Sequence, residues 1–527
     1  MRINVLFGGQ AGQGPNILTQ ILGRALVKQG YYVFFSRDYQ SLIRGGHNFN
    51  VLTFSEQPVN SNDSKMNIIV ALDENTEKLH KKELKQNGVI LRGSNENMYY
   101  AGRLFKLLCL DFSLLEKELM ELEKRYDENM IEARKGYDEE KQEVCKVIFR
   151  GGEYVSFING NQGISEGAIK SGIDVYYAYP MTPATNVLSE LAEKQIEKNI
   201  LVLEMESEIA VINAAVGSSI TGAKTMIGTS GGGFDLMTES LSLAGMAEVP
   251  LVIYLAQRPG PSTGVATYTG QGDLQMARYS GHGEFNRLVL SPGDPRECGE
   301  LASEAFYFSQ KFKIPVIIIS DKHLAESFYT IGEKGKITFS EKSTSLKRYN
   351  SYETDEFGSA TENPEIIKKN VEKRIKKEKE ISEEAKKFSQ YKVYGRKDSK
   401  NVIVSWGSTK GAIIDAIKDL DVKFVQILYI EPFPEIKKEL FGNLILIENN
   451  STGQLGDVIA EKTGIFIEDK NKILRYDGRP FLADELGLEI KRRISASFVA
   501  ETQNEGRKFE GESKIHHSSV RSQMSGE

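Results

Sequence analysis

Cysteine is scarce in this chain, and the few cysteines present cannot build a common metal or redox site. Among 527 residues there are three, at Cys109, Cys145 and Cys298. They lie far apart and form no Cys-x-x-Cys pair, so they cannot supply the four thiolates of an iron–sulfur cluster. So few thiols also exclude a disulfide scaffold and favour a reducing compartment. We therefore expect a cytoplasmic protein that is stabilised by a hydrophobic core.

Long apolar runs and an excess of positive charge are missing as well. No stretch approaches the roughly 20 apolar residues that a membrane-spanning helix needs. The net charge is 67 − 73 = −6, which gives no general reason to bind nucleic acid or an anionic membrane. Apolar residues make up 40% and charged residues 27%, as in ordinary globular proteins, and the length allows several domains.

Short β-branched runs recur along the chain, and a helical pattern follows each of them. Several runs are apolar at every position, as in strands that are buried on both faces. Alternating strands and helices predict an α/β fold with parallel sheets in more than one domain. The runs cover residues 3–7, 67–72, 199–204, 250–256, 315–320, 401–405 and 443–447.

Shifts in composition divide the chain. Residues 115–143 form a charged helical stretch, and residues 365–387 are dense in Lys and Glu, which predicts a solvated helix with i,i+4 ion pairs. The tail is rich in Ser, Gly, Glu and Gln, and we expect it to be disordered. The predicted segments are 1–150, 151–335, 336–397, 398–494 and 495–527.

Two glycine-rich loops lie near the N-terminus. Gly8–Gly14 follows a predicted strand and precedes a helical pattern, where glycines allow a close backbone approach to an anion. Its spacing is not GxGxxG and no GK[ST] follows, so it matches neither a dinucleotide fingerprint nor a P-loop. A tight turn without a ligand explains it equally well. The second loop, Arg44-Gly45-Gly46-His47, indicates little alone.

The centre of the chain is more informative. Tyr179–Thr185 follows an apolar run, and Pro180 and Pro183 restrict the backbone on both sides of Thr182. In open parallel sheets, ligands bind beyond the carboxyl ends of the strands. A rigid Thr182 hydroxyl at such an end could donate a hydrogen bond to a carboxylate, although a proline-rich turn without function has the same pattern.

Two charged residues occupy similar positions. Glu208 stands where a predicted strand passes into a helix of small residues, so we expect it to be partly buried and to act as an acid or hydrogen-bond donor. The alternative is an ordinary carboxylate in a first helical turn. Arg258 follows another strand and can bind a carboxylate through two hydrogen bonds, or form a structural ion pair. Thr229–Gly233 could line the same site or cap a helix.

Taken together and in this order, the motifs resemble the 2-oxoacid:ferredoxin oxidoreductase family, in the form with a gamma-type domain fused before the alpha subunit. The resemblance covers nearly the whole chain. It implies a gamma-type domain at 1–150, a thiamine-diphosphate pyrimidine-binding domain at 151–335, a charged linker at 336–397 and a transketolase C-terminal-like domain at 398–494. The C-terminal motifs are Trp406–Thr409, Pro432–Pro434, Glu448–Asn450, Gly453–Leu455 and Tyr476–Phe481.

The same resemblance assigns roles to four residues. Glu208 would hydrogen-bond the aminopyrimidine nitrogen of thiamine diphosphate and thereby take part in catalysis. Thr182 and Arg258 would hold the carboxylate of the substrate. Thr267 would contact the distal end of the substrate and influence the preferred chain length. The N-terminal loop departs from the family pattern, because an extra residue separates its glycines.

The chain contains no Gly-Asp-Gly segment, which thiamine enzymes use to hold the diphosphate through Mg²⁺. By resemblance, Mg²⁺ and a 4Fe-4S cluster would belong to a beta-type partner, in a heterodimer or a dimer of heterodimers. The expected reaction is the CoA-dependent oxidative decarboxylation of a 2-oxoacid, with 2-oxoglutarate mildly favoured and ferredoxin as electron acceptor. The alternatives are a non-oxidative thiamine-dependent decarboxylase subunit and a non-catalytic binding or assembly protein of the same fold.

Overall fold

Three β-sheets organise the chain in the computed structural model, which confirms the predicted α/β class with several domains. All seven predicted strands are present. No helix in the described part of the chain is long and apolar enough to cross a membrane. The structure describes residues 1–40, 46–94, 96–122, 125–151, 156–333, 335–343 and 349–495.

The first sheet has seven strands in the order β5-β4-β1-β3-β2-β13-β6. Only the β1–β4 and β4–β5 pairs are parallel, so this sheet is mixed rather than parallel as the sequence pattern predicts. The strands are β1 (Arg2–Gln10), β2 (Tyr32–Asp38), β3 (His47–Ser55), β4 (Met66–Ala71), β5 (Leu84–Leu91), β6 (Ser156–Asn159) and β13 (Phe328–Ile331). The helices of this region are α1 (Pro15–Lys28), α2 (Glu74–His80), α3 (Asn97–Leu107), α4 (Phe112–Met120) and α5 (Tyr126–Glu139).

The second sheet carries the candidate site, and its strand order is β17-β11-β12-β10-β9-β7-β8. Its strands are β7 (Val175–Ala178), β8 (Leu201–Glu204), β9 (Thr225–Thr229), β10 (Leu251–Gln257), β11 (Leu288–Leu290), β12 (Pro315–Asp321) and β17 (Tyr429–Glu431). Its helices are α6 (Gly160–Lys170), α7 (Thr185–Lys198), α8 (Glu208–Ile220), α9 (Gly231–Leu236), α10 (Thr238–Met246), α11 (Leu274–Tyr279), α12 (Pro295–Phe312) and α13 (Lys322–Glu326).

The third sheet has the order β14-β16-β15-β18-β19 and is parallel except for the β14–β16 pair. It consists of β14 (Tyr391–Gly395), β15 (Asn401–Trp406), β16 (Lys423–Ile427), β18 (Asn443–Glu448) and β19 (Lys472–Leu474). The helices of this part of the chain are α14 (Pro364–Ala385), which confirms the predicted charged helix, α15 (Thr409–Ala416), α16 (Gln454–Thr463) and a last helix over residues 483–495.

The second sheet is buried on both faces. Every residue of β9, β10 and β12 is buried, and alternate side chains of β10 enter two different cores. Ile253 and Leu255 belong to a core that continues into the third sheet through Trp406, whereas Val252 and Tyr254 pack on the opposite face. Because apolar side chains fill both faces, polar groups that bind a ligand have to lie at the strand ends.

Strands cross the predicted segment boundaries. The first sheet takes β6 and β13 from the second segment, and β17 of the C-terminal segment pairs with β11 of the second sheet. These exchanged strands are only three or four residues long, so the periodicity that identifies a strand is weak in them. They join the three sheets into one continuous body.

A buried cluster of charges links the second sheet to the C-terminal domain. Glu297 on α12 forms ion pairs with Lys410 at 2.6 Å and with Lys392 at 2.9 Å, and it accepts a hydrogen bond from Gln426 at 2.7 Å. Lys410 also pairs with Asp294, the N-cap of α12. Burial alone would raise the pKa of Glu297, but the two lysines hold it below the usual range of a glutamate.

We expect Glu297→Ala to lower the free energy of unfolding by about 3–5 kcal/mol, because it removes the buried carboxylate that Lys410 and Lys392 share and leaves Lys410 with Asp294 alone. Denaturant unfolding would measure the loss. Glu372→Ala is the matched control, since Glu372 forms an exposed pair with Lys368 at 3.9 Å and its removal should leave the unfolding midpoint unchanged. Equal effects of the two substitutions would contradict a stabilising role for the buried cluster.

Candidate active site

The strand order of the second sheet reverses beside β7. β8 lies on one side of β7, while β9 and then β10 lie on its other side, and all four strands are parallel. Ligands bind at such a switch point, in the crevice beyond the carboxyl ends of the strands. Thr182 follows the end of β7, Glu208 follows β8, the Ser230–Gly233 turn follows β9 and Arg258 follows β10.

Two buried polar side chains hold the turn after β7 in place. Asn161 is fully buried and donates a hydrogen bond to the carbonyl of Pro183 at 2.9 Å, while the Tyr254 hydroxyl donates to the Asn161 side chain at 2.8 Å. The peptide bond between Thr182 and Pro183 is cis. Thr182 itself is half-buried, and its carbonyl accepts a hydrogen bond from Arg258 at 3.0 Å. The structure therefore brings these two predicted residues together.

Glu208 is the first residue of α8 and is only 4% exposed. Ser207 caps this helix by accepting a hydrogen bond from the backbone of Ala210. The Oε1 atom of Glu208 is buried and has no hydrogen-bond partner among the described residues. Since buried polar atoms in native proteins are almost always paired, this carboxyl is suited to a ligand that supplies the missing partner.

The turn after β9 is shaped to the carboxyl of Glu208. A Cβ atom on Gly233 would lie 2.7 Å from Oε1 of Glu208 and 2.2 Å from the Thr229 hydroxyl, so glycine is the residue that permits this approach. The Ser230 hydroxyl is also buried without a partner among the described residues. The turn after β9 therefore carries a hydroxyl with unused hydrogen-bonding capacity, and it packs against an acid of the same kind at the start of α8.

Arg258 supplies the positive charge of the site. Burial lowers the pKa of its guanidinium below the usual range, and the carboxylates of Asp273 and Glu208 act in the opposite direction. Its only hydrogen bond within the described residues is the one to the Thr182 carbonyl. The remaining donors of the guanidinium are available to an anion, and two parallel hydrogen bonds to a carboxylate suit this geometry.

Other predicted residues make their hydrogen bonds to other parts of the chain or lie outside the described residues. Thr267 is 4% exposed, and its hydroxyl donates to the Tyr39 carbonyl at 2.5 Å, so its predicted contact with substrate stays a prediction. The Gly8–Gly14 loop is closed by Gln13, which accepts from the backbone of Gln10 at 2.7 Å and donates to Leu72 at 3.3 Å. Arg44 and Gly45 of the second glycine loop, and residues 496–527 of the tail, lie outside the described residues.

Sequence reasoning left Gln271-Gly272-Asp273 without a role. Gln271 is fully buried and donates to the Trp406 carbonyl at 3.1 Å, while its side-chain oxygen and its backbone N–H both bond the backbone of Asn449 at 2.8 Å. The C-terminal domain thus holds the loop that follows Arg258. In the sequence these three residues only come shortly after the Arg258–Gly264 motif, and their spacing assigns no role.

We expect Gly233→Ala to lower the free energy of unfolding by about 1–3 kcal/mol, because the added methyl group overlaps Glu208 and Thr229. Gly232→Ala is the matched control, since a Cβ atom there meets nothing within 4 Å and alanine is the better helix former. Thermal unfolding of both variants would measure the difference. A Gly233 variant as stable as its neighbour would contradict the close packing of the turn on Glu208.

Comparisons with known proteins identify the family of this chain. Residues 166–396 match the family model described as "Pyruvate flavodoxin/ferredoxin oxidoreductase, thiamine diP-bdg", and residues 4–131 match "Pyruvate ferredoxin/flavodoxin oxidoreductase". The solved 2-oxoglutarate:ferredoxin oxidoreductase from Magnetococcus marinus has the same fold, with a TM-score of 0.84 at 23% identity over 94% of this chain and 99% of that one.

Curated relatives extend the match to nearly the full length. The 2-oxoacid:ferredoxin oxidoreductase subunit alpha of Saccharolobus solfataricus is 31% identical over 93% of this chain and 98% of its own. The 2-oxoglutarate synthase subunit KorA of Methanocaldococcus jannaschii is 30% identical over 64% of this chain and 97% of its own. The chain therefore belongs to the alpha subunits of the 2-oxoacid:ferredoxin oxidoreductase family.

Proposed function

We propose that this chain is the cytoplasmic alpha subunit of an enzyme that oxidatively decarboxylates a 2-oxoacid to an acyl-CoA and CO₂ and passes the electrons to ferredoxin. The unpaired, buried Oε1 atom of Glu208 at the switch point of the second sheet carries the proposal. A ligand whose ring nitrogen hydrogen-bonds this carboxyl would supply the missing partner. The family supports the reaction class, and 2-oxoglutarate is the favoured substrate.

The residues present fit the pyrimidine end of thiamine diphosphate. Glu208 would hold the aminopyrimidine nitrogen, and Gly233 leaves the room that this carboxyl needs. When bound, thiamine diphosphate supplies the electron sink that allows a 2-oxoacid to lose CO₂. The chain itself contributes orientation and proton control, because the Glu208 carboxyl is shielded from water and fixed at the start of α8.

The substrate carboxylate would lie between Arg258 and Thr182. The guanidinium is already held beside the Thr182 turn by its bond to the carbonyl, so little side-chain freedom is lost on binding. Thr182 would add a hydroxyl donor, and Thr267 would act further along the substrate. Preference for 2-oxoglutarate is supported by relatives named 2-oxoglutarate synthase and by the solved Magnetococcus marinus enzyme, which was determined with 2-oxoglutarate, coenzyme A and succinyl-CoA bound.

A beta-type partner would complete the site. Each segment that brings a site residue also exposes a large apolar side chain next to it, as in Tyr179, Ile209, Leu236 and Val265, which are 41–54% exposed. Apolar side chains grouped around a polar crevice are typical of a surface that another subunit covers. That subunit would supply Mg²⁺, the diphosphate contacts and a 4Fe-4S cluster, in a heterodimer or a dimer of heterodimers.

Replacing Glu208 by Gln in the assembled complex should abolish 2-oxoacid oxidation without preventing assembly. Glutamine keeps the size of the side chain but cannot hold or accept a proton at Oε1 in the same way. Glu206→Gln is the matched control, because Glu206 is an exposed carboxylate two residues earlier. Viologen reduction and size-exclusion chromatography would measure turnover and assembly. Near-normal turnover of the Glu208 variant would refute the assigned role.

The purified chain alone should be colourless and inactive. Cys298 is buried, only Cys109 and Cys145 are partly exposed, and the described residues hold no cluster of three metal-binding side chains. Absorption spectroscopy after anaerobic purification is the test. An iron–sulfur absorption band from this chain without a partner would overturn the proposed division between the subunits.

A further inference from the structure

Asp273 is a second carboxyl at the candidate site, and its side chain lacks the hydrogen bond that is expected at its place in the fold. It is the N-cap residue of α11, where an aspartate normally accepts a hydrogen bond from the helix, yet its side chain makes no capping bond. No described residue donates a hydrogen bond to its carboxylate. The side chain points away from α11 and accepts no hydrogen bond from the backbone N–H groups of its first turn.

The carboxylate of Asp273 is directed to the turn after β9. A Cβ atom on Gly231 would lie 2.4 Å from its Oδ2 atom, so the glycine leaves the space that the carboxylate occupies. The backbone N–H of Asp273 is held by the side chain of Gln257 at 2.8 Å, and Gln257 directly precedes Arg258. Asp273 and Glu208 therefore flank the same Ser230–Gly233 turn, one against Gly231 and the other against Gly233.

Burial and two neighbouring charges determine the pKa of this carboxylate. Burial raises the pKa of Asp273 to about 6, the carboxylate of Asp235 on α9 acts in the same direction, and Arg258 acts against both. The carboxylates of Asp273 and Glu208 in turn act to raise the pKa of the Arg258 guanidinium. Arg258 and Asp273 form no ion pair in the described part of the chain, and the guanidinium bonds the Thr182 carbonyl. Asp273 is thus a nearby countercharge without a fixed partner.

We propose that Asp273 balances the charge of Arg258 in the empty site and takes up a proton when the carboxylate of a 2-oxoacid binds to Arg258. The inference rests on the proposed function. The incoming carboxylate replaces the countercharge, and two anions beside one guanidinium repel each other in a partly buried site, where water screens charges less than in bulk solvent. Protonation of Asp273 from solvent removes this repulsion and leaves one guanidinium facing one carboxylate.

The consequence is a pH dependence of substrate binding with a defined sign. An anion that binds beside Asp273 raises the pKa of its carboxyl further, so binding draws in a proton wherever Asp273 is ionised in the empty site. Below a pH of about 6 the group already carries that proton and binding is independent of pH. Above it, the KM for the 2-oxoacid should rise with pH, by at most about tenfold per pH unit.

Asp273→Asn tests the proposal in the complex of this chain with its beta-type partner, with 2-oxoglutarate and pyruvate as probes. Asparagine resembles the protonated side chain, so at a pH of about 8 the KM should fall at least about threefold and its pH dependence should flatten, with a smaller effect on kcat. Calorimetric titration in two buffers of different ionisation enthalpy should show that proton uptake is lost. An unchanged KM profile and unchanged proton uptake would overturn the proposal.

Asp235→Asn provides a second test that does not alter Asp273. Removing the Asp235 charge lowers the pKa of Asp273, so the rise of KM should begin at a lower pH and keep its slope. A profile that does not move would contradict the proposed coupling, even if the Asp273 variant fails to fold. A wild-type complex that oxidises no 2-oxoacid would instead refute the proposed function, which separates the two failures.

Discussion

The burial of the second sheet on both faces determines where chemistry can occur in this protein. The central strands β9, β10 and β12 are buried throughout and mostly apolar, and their backbone groups are used in parallel pairing. Hydrogen-bonding side chains are costly inside such a layer and have to gather at its carboxyl edge. Reversal of the strand order beside β7 opens that edge, and the candidate site lies there.

The C-terminal domain has a direct role in this geometry. Gln271 bonds the carbonyl of Trp406 and the backbone of Asn449, and the backbone of Thr269 donates to Gly478 at 3.1 Å. These contacts hold the loop between Arg258 and Asp273 from outside the second sheet. Movement of the C-terminal domain would therefore move the loop between Arg258 and Asp273. Glu208 and Thr182 are instead positioned by the second sheet itself.

Sequence patterns predicted the elements whose signals are local. The buried strands are continuous apolar runs, and burial of Glu208 followed from its small and apolar neighbours. The mixed pairing of the first sheet and the exchanged strands β13 and β17 could not be predicted, because strands of three or four residues have too few positions to show a period. Asp273 was missed because its position at the site depends on a space left by Gly231, which is distant in sequence.

The most direct test of the account is the activity of this chain after anaerobic co-expression with a beta-type subunit. Viologen reduction would be measured over a panel of 2-oxoacids, with and without CoA. The account predicts reduction that requires CoA and a preference for 2-oxoglutarate over pyruvate and branched-chain acids. No reduction with any acid, in a complex shown to contain thiamine diphosphate and iron, would contradict it and favour a binding or assembly protein of the same fold.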